Sequence, residues 1–222
     1  MLVLIRGAGD LASGIALRLH HAHYQIVMTD LPKPTAIRRT VCFSQALLFG
    51  TATVEDVTAR RAENAKEALA IVAKGDIAVL ADPEAKSKNA LLPDALVDAI
   101  LAKRNLGTAI TDAPLVIGVG PGFTAGVDCH VCVETMRGHT LGRVITEGSP
   151  IPNTNIPGLI GGFAGERVLR APADGTPVCK GMKAGDVDPR GEASYCRLVS
   201  DKALAIGGGV LEALLRFSEM RP

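Results

Sequence analysis

The sequence predicts an α/β fold: a Rossmann-like, doubly wound parallel sheet over residues 1–120, followed by a smaller β-rich region over 121–222 that a C-terminal helix closes. Three observations predict it. A continuous apolar strand, Leu2 to Arg6, runs straight into the glycine turn Gly7-Ala8-Gly9-Asp10-Leu11-Ala12 and then into an amphipathic stretch, Leu11 to His21. Apolar runs then alternate with helical periodicity as far as residue 120. Beyond that point the helical period disappears, and short segments are punctuated by Gly and Pro.

Taken in order, Leu2 to Arg6 reads as a buried strand, Leu11 to His21 as a helix with a Leu/Ile face, and Gln25 to Thr29 as a second strand, which together make a βαβ unit. Ala62 to Ala73 reads as a helix, Asp76 to Ala81 as a buried strand, and Pro93 to Lys103 as another helix, because proline suits a first helical position. Leu115 to Val119 is a further buried strand. Asp128 to Thr135 and Gly142 to Thr146 are short strand-like segments, and Ala203 to Phe217 is helical, with Gly207-Gly208-Gly209 interrupting or starting it.

Composition narrows the function classes. With 24 basic against 23 acidic residues in 222, the net charge of +1 lacks the excess that a row of nucleic-acid phosphates demands, and aromatics at 3% leave little for base stacking. The sequence therefore argues against DNA and RNA partners. No apolar run approaches the roughly 20 residues of a membrane span, Leu2 to Ile5 is too short for a signal-peptide core, and five scattered cysteines do not imply disulfides. A cytoplasmic protein with no membrane partner is expected.

The turn Gly7 to Ala12 matches G-x-G-x-x-G/A in its proper context, after a strand and before a helix. Gly7 permits the tight turn, Gly9 lets the backbone approach a pyrophosphate, and Ala12 lets the helix pack on the strand, with Ser13 and Gly14 one turn on. Free N–H groups and the helix dipole then face the anion. Asp30, 18 residues beyond Ala12, ends the second strand, where a carboxylate accepts hydrogen bonds from a ribose 2′-OH. That favours NAD or another nucleotide without a 2′-phosphate, while the basic pair Arg38-Arg39 keeps NADP open. Ala8 and Leu11 complete the loop; Asp10 within it is repelled by a pyrophosphate unless it points away or caps the helix.

Other stretches carry candidate chemistry. Gly118 to Gly126 follows an apolar strand, and Gly120 and Gly122 there form a candidate second anion turn or simply need positive φ. Cys129-His130-Val131-Cys132 spells C-x-x-C, but on a strand positions i and i+3 point apart, so the sulfurs are expected on opposite faces, with Asp128, His130, Cys132 and Glu134 sharing one. On that face His130 is a candidate acid or base and Glu134 its orienter or a cation ligand. His20, His21 and His23 gather at a helix end, where the dipole accounts for them, and no metal site is assigned. Asp186, Asp188 and Arg190 sit in a Gly/Pro-framed turn; Ser200-Asp201-Lys202 suggests a nucleophile beside a base; Gly207 to Gly209 either holds an anion or lets a helix pack closely.

Taken together, the stretches Arg6 to Gly14, Pro34 to Thr40, Gly118 to Gly126, Glu134 to His139, Gly185 to Arg190, Ser200 to Lys202 and Gly207 to Glu212 resemble the bacterial selenium-dependent molybdenum hydroxylase system proteins. These are accessory factors of molybdenum hydroxylases of the xanthine dehydrogenase type. The resemblance implies a role in maturing or inserting the molybdenum cofactor, with that cofactor as cargo, selenium or sulfur chemistry nearby, and the hydroxylase or its maturation proteins as partners. It also favours Arg137 and His139 as functional, contacting an anionic pterin phosphate, with His139 a candidate catalytic group. Longer members continue after a segment like Arg170 to Gly175 with sequence resembling the barrel-sandwich of biotinyl and lipoyl domains. Here Gly175 passes almost directly to Thr176 to Gly181, too few strands for a complete barrel. Two other readings stand beside this one: an NAD(P)-dependent oxidoreductase acting on a small molecule through His130 or His139, and a nucleotide-sensing protein with no catalysis. Homo-oligomer formation stays open.

Overall fold

The computed structural model describes residues 1–153 and 192–219. Their centre is one nine-stranded sheet in the order β3-β4-β5-β2-β1-β6-β7-β8-β9. The strands are β1 (Leu2–Arg6), β2 (Gln25–Asp30), β3 (Thr51–Val54), β4 (Val57–Ala62), β5 (Ile77–Ala81), β6 (Ala95–Asp98), β7 (Leu115–Val119), β8 (Val131–Val133) and β9 (Val144–Ile145). All neighbours pair in parallel except β3 with β4 and β8 with β9, so the two edges are antiparallel hairpins on a parallel centre. The chain is thus an α/β protein with a Rossmann-like arrangement.

Helices cover both faces, which is why the central strands are apolar runs without alternation. On one face, α1 (Asp10–His21) packs beside α5 (Asp201–Glu219) over Val3, Ile5, Val97, Ile117 and Val133. On the other, α3 (Ala65–Val72) and the turn α4 (Lys88–Leu91) lie over Leu4, Val27, Leu80 and Leu96. A one-turn helix α2 (Ala46–Phe49) leads into β3. The start of α3 is written locally: the Asn64 side chain accepts the N–H of Glu67, and the Glu67 carboxylate accepts that of Glu63.

One expectation needs correction. Pro93 to Lys103 is not a helix: Ala95–Asp98 is a buried strand between β1 and β7, paired with both. A four-residue apolar run carries no period long enough to separate the two states, and its two waiting neighbours decide. The hairpin β3–β4 was not foreseen at all, because its alternation over Thr51 to Ala62 is interrupted by Glu55-Asp56 and by the exposed pair Arg60-Arg61. Beyond residue 120, β8 and β9 extend the same sheet, and α5 packs against α1 with Gly14 opposite Ala203 and Gly207 against Arg18.

The triplet Gly207 to Gly209 lies inside α5 rather than at its start. A Cβ on Gly207 would lie 3.0 Å from the Gly14 carbonyl oxygen and one on Gly209 would overlap the Gly142 carbonyl, so these two serve close packing, not an anion turn. The start of α5 is capped by Ser200, whose Oγ accepts the Ala203 N–H at 3.2 Å; that contact accounts for Ser200 without a nucleophile. Asp186, Asp188 and Arg190, like Arg170 to Gly181, lie outside the described residues.

Candidate functional site

The glycine turn forms where β1 ends at the middle of the sheet. The chain leaves β1 towards β2 through α1, while β6 lies on the other side, so the order reverses between β1 and β6, the place where open α/β sheets leave a crevice. Gly7 crosses that point with φ +107°, and a Cβ there would lie 2.9 Å from the Ala99 carbonyl oxygen. Both facts require glycine. The turn is pinned by Gly7 N–H to Thr29 O at 2.7 Å, and by the Ala8 carbonyl, which accepts from Ser44 N–H and from the Ser13 hydroxyl. Ser13 Oγ in turn accepts the Phe43 N–H at 2.8 Å.

Gly9 is different. It is the residue before α1, at φ −72° and ψ −174°, extended backbone open to any side chain, and no atom lies within 4 Å of where its Cβ would stand. Neither strain nor packing demands glycine here. The first N–H groups of the helix, from Asp10 to Ala12, have no intrahelical partner and lie at the positive end of the helix dipole.

Asp30 stands beside the turn at the end of β2. Its Oδ2 accepts the Ala8 N–H at 2.9 Å and its Oδ1 accepts the Leu31 N–H at 2.7 Å. One amide of the motif is therefore directed at Asp30, yet a carboxylate has about four acceptor sites, so capacity remains for a ribose hydroxyl. Burial pushes the Asp30 pKa up, against the pull of the two backbone N–H groups. With the folded pKa above the unfolded value near 3.8, the native state binds the extra proton, and Asp30 costs stability as pH rises through that interval. Relative to Asp30→Asn, wild type is expected to lose stability as pH rises from below 3.8 towards neutrality; urea titrations along that rise check the sign, and a constant difference would refute it.

Arg38 and Arg39 separate. Arg38 reaches Asp10 at 3.6 Å and donates to the carbonyls of Tyr195 and Leu198, holding the segment before α5 against the mouth of the turn. It offsets the Asp10 carboxylate, the local obstacle to an anion. Arg39 donates to Gln45 Oε1 at 3.0 Å and lines a separate open groove of about 430 Å³ with Thr40, Cys42, Phe49 and Ala52. No residue of the turn borders that groove.

Gly120 and Gly122 lie at the carboxyl end of β7 with φ +83° and +106°, and their Cβ positions would meet Thr135 Oγ1 at 2.9 Å and the Arg104 Cα at 2.5 Å. Chain geometry and close packing account for both. His130 and Glu134 do not converge, because β8 holds only three residues and ends between them. His130 Nδ1 accepts the Val116 N–H at 2.9 Å near the amino end of β7, which leaves the ring proton on Nε2 when the imidazole is neutral. Glu134, at the opposite end, is buried and accepts the N–H groups of Thr135, Met136 and Ile151 at 2.7, 2.7 and 2.8 Å. It fastens a loop. Arg137 pairs with Asp201 at 3.0 Å, and exposed His139 offers its carbonyl to Arg143. His20 bonds the Gly75 carbonyl and His21 bonds Asp56.

One correction is chemical. Cys129 precedes β8 in a turn and does not follow strand alternation, so its Sγ swings back to 3.4 Å from Cys132 Sγ. Among the described residues no three His, Cys, Asp or Glu side chains are grouped to hold a metal ion.

A buried network at the crevice had no assigned role in the sequence. Arg6 donates to Asp98 Oδ2 at 3.2 Å, Thr108 Oγ1 at 2.9 Å, and the carbonyls of Leu106 and Pro83 at 3.1 Å each; Thr108 Oγ1 donates to Asp98 Oδ2 at 2.6 Å. It joins the ends of β1 and β6. The only signal was a charged residue closing each of two apolar runs.

The fold and site define an α/β protein with a glycine turn at the central strand's carboxyl end. Among curated proteins it is similar to one named Uncharacterized protein YqeB, from Escherichia coli strain K12, with 47% identity over 255 residues. The match takes in 96% of this chain and 47% of that protein, so the chain spans about half the length of this relative. No family model and no solved structure matches the chain. No helix among the described residues is long and apolar enough to cross a membrane.

Proposed function

We propose that the chain is a nucleotide-binding accessory factor in the maturation of a molybdenum hydroxylase, acting at the stage of the molybdenum cofactor, with the nucleotide's phosphates on the turn Gly7 to Ala12. The single observation that carries the nucleotide is Gly9: an extended glycine that neither backbone strain nor packing requires, facing open space beside unpartnered helix N–H groups. A ligand main-chain approach explains a residue that the fold alone does not. Asp30 and the engagement of both Arg38 and Arg39 favour NAD or a nucleotide with an unphosphorylated ribose. When bound, such a nucleotide supplies phosphates that the helix dipole stabilises, while Arg38 screens Asp10 and Asp30 orients the ribose. The maturation role rests on the resemblance of the stretches from Arg6 to Glu212 to molybdenum hydroxylase system proteins. The hydroxylase and its maturation proteins are its proposed partners, in the cytoplasm.

A thermal-shift series with NAD, NADP, ATP, CTP, FAD, S-adenosylmethionine and molybdopterin nucleotides tests the site. At about 100-fold excess over Kd, the true ligand adds ~2.7 kcal/mol, a rise of roughly 5–10 °C for a chain of this size. Gly9→Val should keep the ligand-free midpoint within about 1 kcal/mol of wild type, since only the cap preference changes, and should abolish the shift. A full shift in Gly9→Val, or none in wild type, would end the assignment. For the pathway, the hydroxylase isolated from cells lacking this protein should retain its level but lose molybdenum cofactor.

A further inference from the structure

We infer that Cys129 and Cys132 form a peroxide-oxidisable dithiol, a redox site separate from the glycine turn and independent of the function proposed above. The two sulfurs stand 3.4 Å apart with no solvent exposure. Their approach is imposed by a pinned turn. Val127 and Asp128 N–H bond the Thr124 carbonyl, Gly126 N–H bonds the Cys129 carbonyl at 2.7 Å, and Asp128 Oδ2 accepts the Thr124 N–H at 2.8 Å. Asn105 holds Asp128 Oδ1 from outside, and His130 is fixed on both sides to Val116 through its N–H and its Nδ1. Cys132 is anchored in β8 opposite Gly118. Neither sulfur has far to travel to reach its partner.

The pair is also asymmetric. The hydrogen bond from Cys132 and the Gly118 backbone favour a thiolate on Cys129, whose pKa is lowered, while the same contact and burial raise that of Cys132. Cys129 lies beside the exposed tip of the turn, whereas Cys132 is fixed inside β8, so Cys129 is the attacking sulfur and Cys132 the resolving one. Burial restricts the oxidant to a small molecule admitted by local opening of the turn, whose tip is exposed at Gly126 and Val127; hydrogen peroxide meets that condition. The Cys129 thiolate attacks one peroxide oxygen, the O–O bond breaks, and the departing hydroxide takes a proton to become water, leaving a sulfenic acid. The Cys132 sulfur then attacks Cys129 sulfur, the S–O bond breaks, and a second water leaves with the Cys132 proton. In sum two thiols and one hydrogen peroxide give one disulfide and two waters, with two electrons passing from sulfur to oxygen.

The test uses the full chain, reduced, freed of reductant and exposed to hydrogen peroxide, then alkylated under denaturing conditions and mapped by mass spectrometry. Both Cys129 and Cys132 should lose alkylation together, as an intramolecular disulfide reversed by a phosphine reductant, before Cys42 or Cys196 changes. In Cys132→Ser, dimedone should trap Cys129 as its sulfenic acid adduct. The inference is overturned if both cysteines alkylate fully after peroxide, if Cys129 proceeds to sulfinic acid with Cys132 untouched, or if either sulfur pairs instead with another cysteine. The wild-type map alone decides this if the variant fails to fold.

Discussion

Asp98→Ala is expected to lower the free energy of unfolding by about 3–5 kcal/mol, because it leaves the Arg6 guanidinium buried without its counter-charge. Arg6 and Asp98 are both nearly inaccessible to water, and Thr108 donates to the same carboxylate oxygen that Arg6 engages. Desolvating a cation is tolerable while a carboxylate and carbonyls surround it; with the carboxylate gone, only the Thr108 hydroxyl and the carbonyls of Leu106 and Pro83 remain. Replacing both ends by apolar residues, Arg6→Met with Asp98→Leu, removes the orphaned charge. The double variant should therefore be more stable than Asp98→Ala alone, a non-additivity of roughly 1–3 kcal/mol. Urea unfolding of the wild type, the single and the double variants measures it. A single-variant loss under about 1 kcal/mol, or a double variant at least as damaged, would show that the network is not what joins the ends of β1 and β6.

Gly209→Ala should cost about 3 kcal/mol, whereas Gly208→Ala, one residue away, should add up to about 1 kcal/mol. On helix propensity alone the two changes are equal. They differ in what the methyl meets: at Gly209 it would overlap the Gly142 carbonyl oxygen and press Val133 at 2.9 Å, and at Gly208 it finds no atom within 4 Å. Gly142, in turn, brings its backbone against the Ala205 carbonyl with φ +79°. Backbone against backbone has no rotamer to yield, so α5 must lift away from the loop before β9. Denaturant midpoints for the two alanine variants read the contrast directly. Equal effects at 208 and 209 would refute the contact.

Much of this was legible in the residues. The turn Gly7 to Ala12, the strand before it, the helix after it and Asp30 are local in sequence, and their order in the chain imposes their order in space. Leu115–Val119 and Ile77–Ala81 were equally readable, since runs buried on both faces need no alternation to be recognised. The candidate site was legible to the same extent: the small residues and the acidic strand end are visible, while the roles of Arg38 and Arg39 depend on carbonyls and a glutamine brought in by folding. Ala95–Asp98 was misread because its strand identity belongs to β1 and β7, not to its own four residues. The cysteine pair was misread because the strand period was applied one turn too early, to a residue that hydrogen bonds place outside the strand.

By itself the sequence determined the periodic and short-range features: the parallel βαβ opening and the glycine turn between its first strand and helix. Only the tertiary structure decided which glycines answer to packing, such as Gly7 and Gly209, and which, such as Gly9 and Gly208, do not. It also separated His130 from Glu134, brought Cys129 to Cys132, and buried Arg6 against Asp98. Periodicity and propensity act over a few residues, but whether a polar or small side chain is satisfied depends on atoms that arrive from distant parts of the chain.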